Sequence, residues 1–185
     1  ELDPRSLTTH AYGTIFLIFA RRNDEAIELG RKALELEPNF AVGMTFQGLA
    51  YAEQRRFQEA VANLRQATQL EKNPRVLLFG SHVHAVAGDR KEAERLLQEA
   101  HEVVGERYFC PYEIACAYVS LGKHDEAYEW FKKGVQERAD CMPWLGVEPW
   151  LDPFRSDPRY SRLLQQVGLA PPPDRLAPPD SPPSR

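Results

Sequence analysis

The sequence predicts an all-α protein, a right-handed α-solenoid of about four helix pairs that ends in a C-terminal capping helix. Three observations lead to this prediction. A short acidic-alanine motif recurs every 33 or 34 residues, and a repeat of that length is typical of stacked helix pairs. Apolar residues within each repeat follow the 3.6-residue period of an amphipathic helix. The repeated stretch shows no period-two alternation of the length of a strand.

Length and composition indicate one globular domain. The 185 residues carry a net charge of −4 and are 43% hydrophobic. The longest apolar run, Thr14 to Ala20, is far shorter than the roughly 20 residues that cross a bilayer, so we expect no membrane role. The slightly acidic charge disfavours binding to nucleic acid. Three cysteines without a pattern predict reduced thiols in an intracellular protein.

Small residues at three positions define the register of the repeat. The alanine of the acidic-alanine motif is Ala26, Ala60, Ala93 and Ala127. Seven residues later stand Ala33, Ala67, Ala100 and Gly134, and twelve residues earlier stand Thr14, Gly48, Ser81 and Ala115. Because small side chains let two helices approach closely, these positions predict where the helices of each pair touch.

Each repeat divides into two helices. Gly88 and Gly122 suit the left-handed conformation that ends a first helix. Asp89 and Asp125 follow them, near the start of the second helix, where an acidic side chain complements the helix dipole. The second helices are strongly amphipathic, with small and apolar residues on one face and charged residues on the other.

A repeat of about 34 residues with this pattern resembles the tetratricopeptide repeat. The resemblance covers residues 5–141 as four repeats: 7–40, 41–73, 74–107 and 108–141. The chain departs from the family pattern, since no repeat has the early tryptophan and Gly30 replaces a large residue. Pro111 predicts that the first helix of repeat four begins late, near Cys110.

Residues 1–4 match the segment Glu35-Leu36-Glu37-Pro38, which stands one repeat later. We therefore expect them to end a preceding repeat and the chain to come from a longer array. An upstream helix pair would then cover an apolar face on the first helix, made of Tyr12, Ile15, Phe16 and Phe19. Left uncovered, this N-terminal face predicts a surface for self-association.

Residues 142–169 predict an aromatic, ordered loop followed by a capping helix. The loop has too many prolines for one helix and too many aromatic residues for a disordered linker. Asp157 and Pro158 predict the start of a helix over residues 158–167, and Gly168 predicts its end. Residues 170–185 include seven prolines and predict a disordered tail.

The run from Trp150 to Tyr160 is similar to the ends of tetratricopeptide regions in multidomain bacterial regulators, among them kinases, adenylate cyclases and winged-helix transcription factors. The resemblance implies a cytoplasmic interaction region within a larger bacterial signal-transduction protein. Seventeen arginines against six lysines agree with a bacterial origin.

The sequence predicts no enzyme, no metal site and no cofactor. It contains no glycine-rich phosphate loop, no GxSxG motif and no HExxH motif. His82 and His84 stand two residues apart, so on a helix their side chains point about 200° from each other and cannot ligate one ion. His84 occupies the large buried position of its repeat, which favours a neutral core histidine. The cysteine spacing fits neither a redox CxxC nor a zinc site, which favours buried small side chains.

The resemblance implies a concave groove, lined by the first helices, that binds a protein or peptide ligand. By register the groove presents mostly apolar residues: Ile15, Leu49, Arg75, Leu78, His82, Phe109, Tyr112, Cys116 and Val119. An apolar groove suits a helix or an extended peptide with hydrophobic anchors. Two alternatives stay open. The loop with Trp144 and Trp150, or the capping helix, would fill the groove; or the chain is a sensory domain that binds a small apolar ligand and regulates a linked kinase or DNA-binding domain.

Overall fold

The computed structural model describes residues 6–105 and 107–169, and within these ranges it contains nine α-helices, two short 3-10 helices and no strand. The α-helices are α1 (Leu7–Phe19), α2 (Asn23–Leu36), α3 (Ala41–Glu53), α4 (Phe57–Leu70), α5 (Pro74–Val86), α6 (Arg90–Val104), α7 (Pro111–Ser120), α8 (His124–Gln136) and α9 (Pro158–Gln166). The 3-10 helices η1 (Met142–Gly146) and η2 (Pro149–Phe154) lie between α8 and α9. The predicted end of a preceding repeat, 1–4, and the predicted tail, 170–185, lie outside the described residues.

Consecutive helices pack in pairs: α1 with α2, α3 with α4, α5 with α6, and α7 with α8. The first helix of each pair also contacts the first helix of the next pair. Stacked pairs of this kind form an α-solenoid, in which each unit contacts mainly its neighbours. The predicted fold class is therefore confirmed, while the individual repeat boundaries stay a prediction.

The small residues of the repeat lie where the two helices of a pair come closest. All four motif alanines, Ala26, Ala60, Ala93 and Ala127, are fully buried. A side chain at Gly48 would collide with Leu64, and its Cβ would lie 3.2 Å from the carbonyl oxygen of Ala60. The Ser81 hydroxyl donates a hydrogen bond of 2.8 Å to the carbonyl oxygen of Ala93 and so joins α5 to α6. The predicted close contacts are confirmed for Gly48 with Ala60 and for Ser81 with Ala93, whereas Gly134 lies against Met142 of η1.

The helix ends follow the local sequence. Gly88 and Gly122 have φ angles of +91° and +69°, the left-handed conformation predicted for the ends of α5 and α7. Pro111 is the first residue of α7, so this helix begins late, as predicted. The Asp157 side chain accepts a hydrogen bond from the backbone N–H of Arg159 and caps the start of α9.

A hydrophobic cluster closes the C-terminal end of the solenoid. Its members come mainly from α7, α8, η1, η2 and α9, and its largest fully buried side chains include Phe131, Leu145, Phe154, Tyr160 and Leu164. Helix α9 packs on α8 and is therefore the capping helix that the sequence predicts. A nine-residue helix needs such packing, because isolated helices of this length are marginal in water.

Cys110 and Cys141 form a disulfide that joins the start of α7 to the segment just before η1. The prediction of three reduced thiols is wrong for these two residues. They are 31 residues apart in sequence, and the return of the chain after α8 brings them together. Cys116 is a free, buried thiol, as the sequence predicts.

Candidate functional site in the concave groove

Residues 141–156, called the strap below, cross the inner face of the solenoid from α8 back to α1. Arg21, which follows α1, donates from Nη2 to both carboxylate oxygens of Asp152 in η2, each at 2.8 Å. Trp144 in η1 packs against Phe19 of α1 with ring centroids 5.2 Å apart. The strap therefore links the first helix pair to a segment 131 residues further along the chain.

Trp150 closes one part of the groove. Its ring stacks on the imidazole of His82 with centroids 4.6 Å apart and packs edge-on against Phe79 at 5.1 Å. His82 is buried, and its Nδ1 lies 2.7 Å from the Ser120 hydroxyl. Burial lowers the pKa of His82 to about 3, so this imidazole is neutral at physiological pH. The aromatic loop thus fills this part of the groove, which is one of the alternatives that the sequence leaves open.

An open cavity of about 410 Å³ remains between α1, α3, α5, α7 and the strap. Its walls are mostly aromatic: Tyr12, Phe16, Phe19, Phe46, Phe79, Tyr112, Trp144 and Trp150. Three of these side chains stay accessible, since Phe16 is 51% exposed, Tyr12 44% and Trp144 38%. Contiguous exposed apolar surface next to a cavity is characteristic of binding sites.

Arg75 and Glu113 form an ion pair on the polar side of the cavity. The guanidinium of Arg75 on α5 lies 2.8 Å from Oε1 of Glu113 on α7. Burial raises the pKa of Glu113, and the Arg75 charge and hydrogen bond oppose that rise. Glu113 Oε2 is buried and has no hydrogen-bond partner among the described residues. Within the described part of the chain, the ion pair therefore leaves one carboxylate oxygen of Glu113 without a hydrogen-bond donor.

Glu148, in the strap, lines the same cavity and is only 3% exposed. The Tyr112 hydroxyl donates to Glu148 Oε2 at 3.1 Å. Glu148 Oε1 and the indole Nε1 of Trp150 have no partner by hydrogen-bond geometry among the residues that the structure describes. Burial raises the pKa of Glu148 well above its ordinary value, and the Tyr112 hydrogen bond only partly opposes this. The neutral acid is therefore stabilised to higher pH than in an exposed glutamate.

Four of the nine predicted groove residues line the cavity: Ile15, Arg75, Tyr112 and Cys116. Phe109 lies beside an adjoining depression of about 310 Å³ that also touches Arg75.

The other four predicted groove residues, Leu49, Leu78, His82 and Val119, do not line this cavity. Leu49, Leu78 and Val119 are each 2% exposed and lie in hydrophobic clusters between neighbouring helices. His82 lies beneath Trp150. Register alone places these positions on the first helices, but it does not show how tightly adjacent first helices pack or where the strap crosses them.

The apolar face of α1 that the sequence predicts to be covered by an upstream helix pair lies on the concave side of the solenoid. Tyr12, Ile15, Phe16 and Phe19 all line the concave cavity, where Tyr12 contacts Phe46 and the two phenylalanines contact Trp144. These residues therefore face the concave cavity, and self-association through the N-terminal end stays a prediction.

Sequence reasoning missed the acidic side of the site. Glu148 stands in a segment rich in aromatic residues and proline whose other acid is Asp152, and an acid in such a segment is the one signal that the sequence offers. Glu113 carries no comparable signal, because acidic residues are frequent on the solvated helix faces of this chain.

The histidine pair has separate partners. His84 is buried, as predicted, and its Nδ1 lies 3.3 Å from Asp89 Oδ2, whereas His82 contacts Ser120. Among the described residues, no group of three or more His, Cys, Asp or Glu side chains is placed to hold a metal ion. None of the described helices has the length and apolar character needed to cross a membrane.

Two segments of the chain match a known family of repeats. Residues 44–74 and 112–141 match the tetratricopeptide-repeat family model. These segments cover most of α3–α4 and α7–α8, so the match extends over two of the four helix pairs. No curated protein matches the chain.

Several solved structures are similar in fold at low identity. The Cut9–Hcn1 hetero-tetramer of the APC/C is 16% identical, with a TM-score of 0.58 over 89% of this chain and 31% of that one. YrrB, described as a TPR protein with an unusual peptide-binding site, is 16% identical, with a TM-score of 0.48 over 89% of this chain and 86% of that one. MamA is also 16% identical, with a TM-score of 0.46 over 87% and 89%. The first of these likenesses supports the α-solenoid fold.

Proposed function

We propose that this chain is a non-catalytic protein-interaction module that binds a short apolar segment of a partner protein in the open part of its concave groove. The observation that carries the proposal is the aromatic wall of the 410 Å³ cavity, where Phe16, Tyr12 and Trp144 remain exposed. A folded protein gains free energy when such side chains are covered, about 1.5–3 kcal/mol for each large apolar side chain that becomes fully buried.

The shape of the groove favours a short ligand. Trp150 closes the part over His82, so the accessible trough is limited to the region between α1, α5, α7 and the strap. A short extended segment, or the end of a helix, with one or two hydrophobic anchors fits such a trough. Tetratricopeptide repeats support a role in binding proteins, and we propose that the module belongs to a larger bacterial regulatory protein of the cytoplasm.

A sensory domain for a small apolar ligand is the second candidate. One observation favours it: the strap turns part of the groove into a partly closed cavity whose volume lies within the roughly 300–1,000 Å³ usual for small-molecule sites. In that case a lipid-like compound would raise the melting temperature of the protein, and a peptide would not.

The experiment that tests the proposal is selection of binders from a random peptide library on the immobilised protein. We expect wild type to enrich peptides with apolar anchors and the Phe16→Glu variant, checked by circular dichroism, to enrich none of them. Leu36→Glu is the matched control, because Leu36 is similarly exposed at 46% but lies at the end of α2, away from the cavity. Enrichment of the same peptides by Phe16→Glu, or of none by wild type, would contradict the proposal.

A further inference from the structure

The charge around the cavity favours a cationic ligand. Three acidic side chains, Glu113, Asp140 and Glu148, line it, against one cation, Arg75. Arg75 is already paired with Glu113 at 2.8 Å. An anion entering the cavity would meet carboxyl groups in a partly desolvated site, where charge interactions are stronger than in water, whereas a cation would be attracted.

Two buried carboxyl oxygens at the cavity need donors. Glu113 Oε2 and Glu148 Oε1 have no hydrogen-bond partner within the described part of the chain, and Glu148 is almost fully buried. Trp150 Nε1 is also unpartnered there and offers a single N–H. That N–H can satisfy at most one of the two oxygens, so at least one oxygen remains able to accept a hydrogen bond from a ligand. Buried polar groups in folded proteins are almost always hydrogen-bonded.

The same cavity has an aromatic wall. Phe16, Tyr12 and Trp144 expose ring surface there. Aromatic faces attract cations, and the guanidinium group stacks on them while its five N–H donors remain available to carboxylates. A lysine ammonium is smaller and more strongly hydrated, so it fits this combination of flat rings and separated acceptors less well.

We propose that the segment bound in this groove carries an arginine whose guanidinium enters the cavity between the exposed aromatic rings and the carboxyl groups of Glu113 and Glu148. The proposal rests on the peptide-binding function proposed above and names the chemistry of the ligand. Apolar side chains next to this arginine cover Phe16 and Tyr12, and the guanidinium supplies the donors that the two carboxyl oxygens lack.

Binding of the guanidinium changes the protonation of Glu148. Burial raises the pKa of this carboxyl in the free protein, and the groups that face it are Tyr112 and Cys116 of α7, Glu53 of α3, Arg21 after α1 and Trp150 of the strap. An added positive charge lowers the pKa of a carboxyl. Peptide binding therefore releases protons and becomes tighter as the pH rises.

The first part of the test uses the peptides selected by wild type in the library experiment. We expect an arginine flanked by apolar residues in most of them. Selected peptides without any basic residue would overturn the arginine proposal and leave the peptide-binding function intact. If wild type selects no peptide, both the peptide-binding function and the arginine proposal are contradicted.

The second part compares one selected arginine peptide with its citrulline analogue, which has nearly the same shape but no charge. We expect wild type to bind the arginine peptide at least tenfold more tightly by isothermal titration calorimetry, with proton release that shows as a dependence on buffer ionisation enthalpy. In Glu148→Gln this preference should be lost, whereas Glu126→Gln, the same change on the exposed face of α8, should keep it.

Two results would overturn the proposal. One is equal affinity of wild type for the two peptides. The other is a Glu148→Gln variant that is folded by circular dichroism and loses affinity for both peptides by the same factor. That result would indicate a merely structural role for Glu148.

Discussion

The helix pairs and the strap are built by different means. In the helix pairs, the same small residues recur at the same places, and each contact joins helices that are close in sequence. The strap has no repeat, and its anchors, the disulfide to Cys110 and the ion pair with Arg21, connect residues 31 and 131 positions apart. Contacts between residues close in sequence are therefore enough to form the periodic scaffold. The segment that shapes the groove depends instead on partners that are distant in sequence.

Charged groups are exposed on most of the helix surface but include a buried carboxyl in the strap. The helix pairs carry exposed ion pairs between residues three or four apart, such as Arg22 with Glu25 and Arg56 with Glu59. Exposed pairs of this kind contribute little to stability, because water and salt screen both charges. The strap holds Glu148, a buried carboxyl whose burial raises its pKa. Ion pairs within one helix therefore lie in solvent, whereas Glu148 of the strap lies at the candidate site together with Arg75 of α5 and Glu113 of α7.

The largest expected change in the free energy of unfolding comes from loss of the disulfide that anchors the strap. Reduction of Cys110–Cys141 opens a loop of about 31 residues and should lower the free energy of unfolding by about 3–4 kcal/mol, because the unfolded chain regains entropy. The measurement is urea unfolding with and without reductant. A Cys110→Ala, Cys141→Ala double variant is the control, since its stability should not respond to reductant. An unchanged midpoint in wild type would show that the strap does not depend on this bond.

A smaller effect is expected in the helix pairs. Ala60→Leu or Ala93→Leu should lower the free energy of unfolding by about 1–3 kcal/mol, because both alanines are fully buried where the helices of a pair come closest. Ala62→Leu, on the exposed side of α4, is the matched control and should be nearly neutral. The measurement is thermal or urea unfolding followed by circular dichroism. Neutral results at both buried positions would contradict the repeat register.

The smallest expected effect is the pH dependence contributed by Glu148. Its pKa is higher in the folded protein than in the unfolded chain, so above the unfolded value the unfolded chain loses this proton first. The resulting contribution lowers the free energy of unfolding as the pH rises from about 4.5 toward the folded pKa. The carboxyls of Glu53 and Glu113, whose pKa values burial also raises, act in the same direction.

Glu148→Gln should make the free energy of unfolding fall less steeply with rising pH, because the contribution of Glu148 is lost. Glu126→Gln should leave this pH dependence as in wild type. The measurement is the free energy of unfolding by urea at pH values from 5 to 8. Carboxylates with lowered pKa values, such as Asp157 at about 2, affect stability below about pH 4 and do not interfere in this window. Identical slopes in wild type and Glu148→Gln would show that Glu148 is not titrating differently in the folded state.

The candidate site was only partly predictable. Four residues that the register assigns to the groove, Ile15, Arg75, Tyr112 and Cys116, line the cavity in the structure. The register did not reveal that Leu49, Leu78 and Val119 are covered, because inter-pair packing depends on the curvature of the whole solenoid. The acidic group at Glu148 was missed because its role arises from contacts with Tyr112, 36 residues away in sequence.

The sequence by itself determined the α-solenoid, the close contacts at the small residues, the ends of α5, α7 and α9, and the presence of a capping helix. These features follow from side-chain periodicity and from local backbone preferences, both of which act within a few residues. Only the tertiary structure decided that Cys110 bonds to Cys141, that Trp150 covers His82, and that a cavity with a buried acid remains beside exposed aromatic rings. These features depend on the path of the strap across the groove, which is set by contacts between residues far apart in sequence.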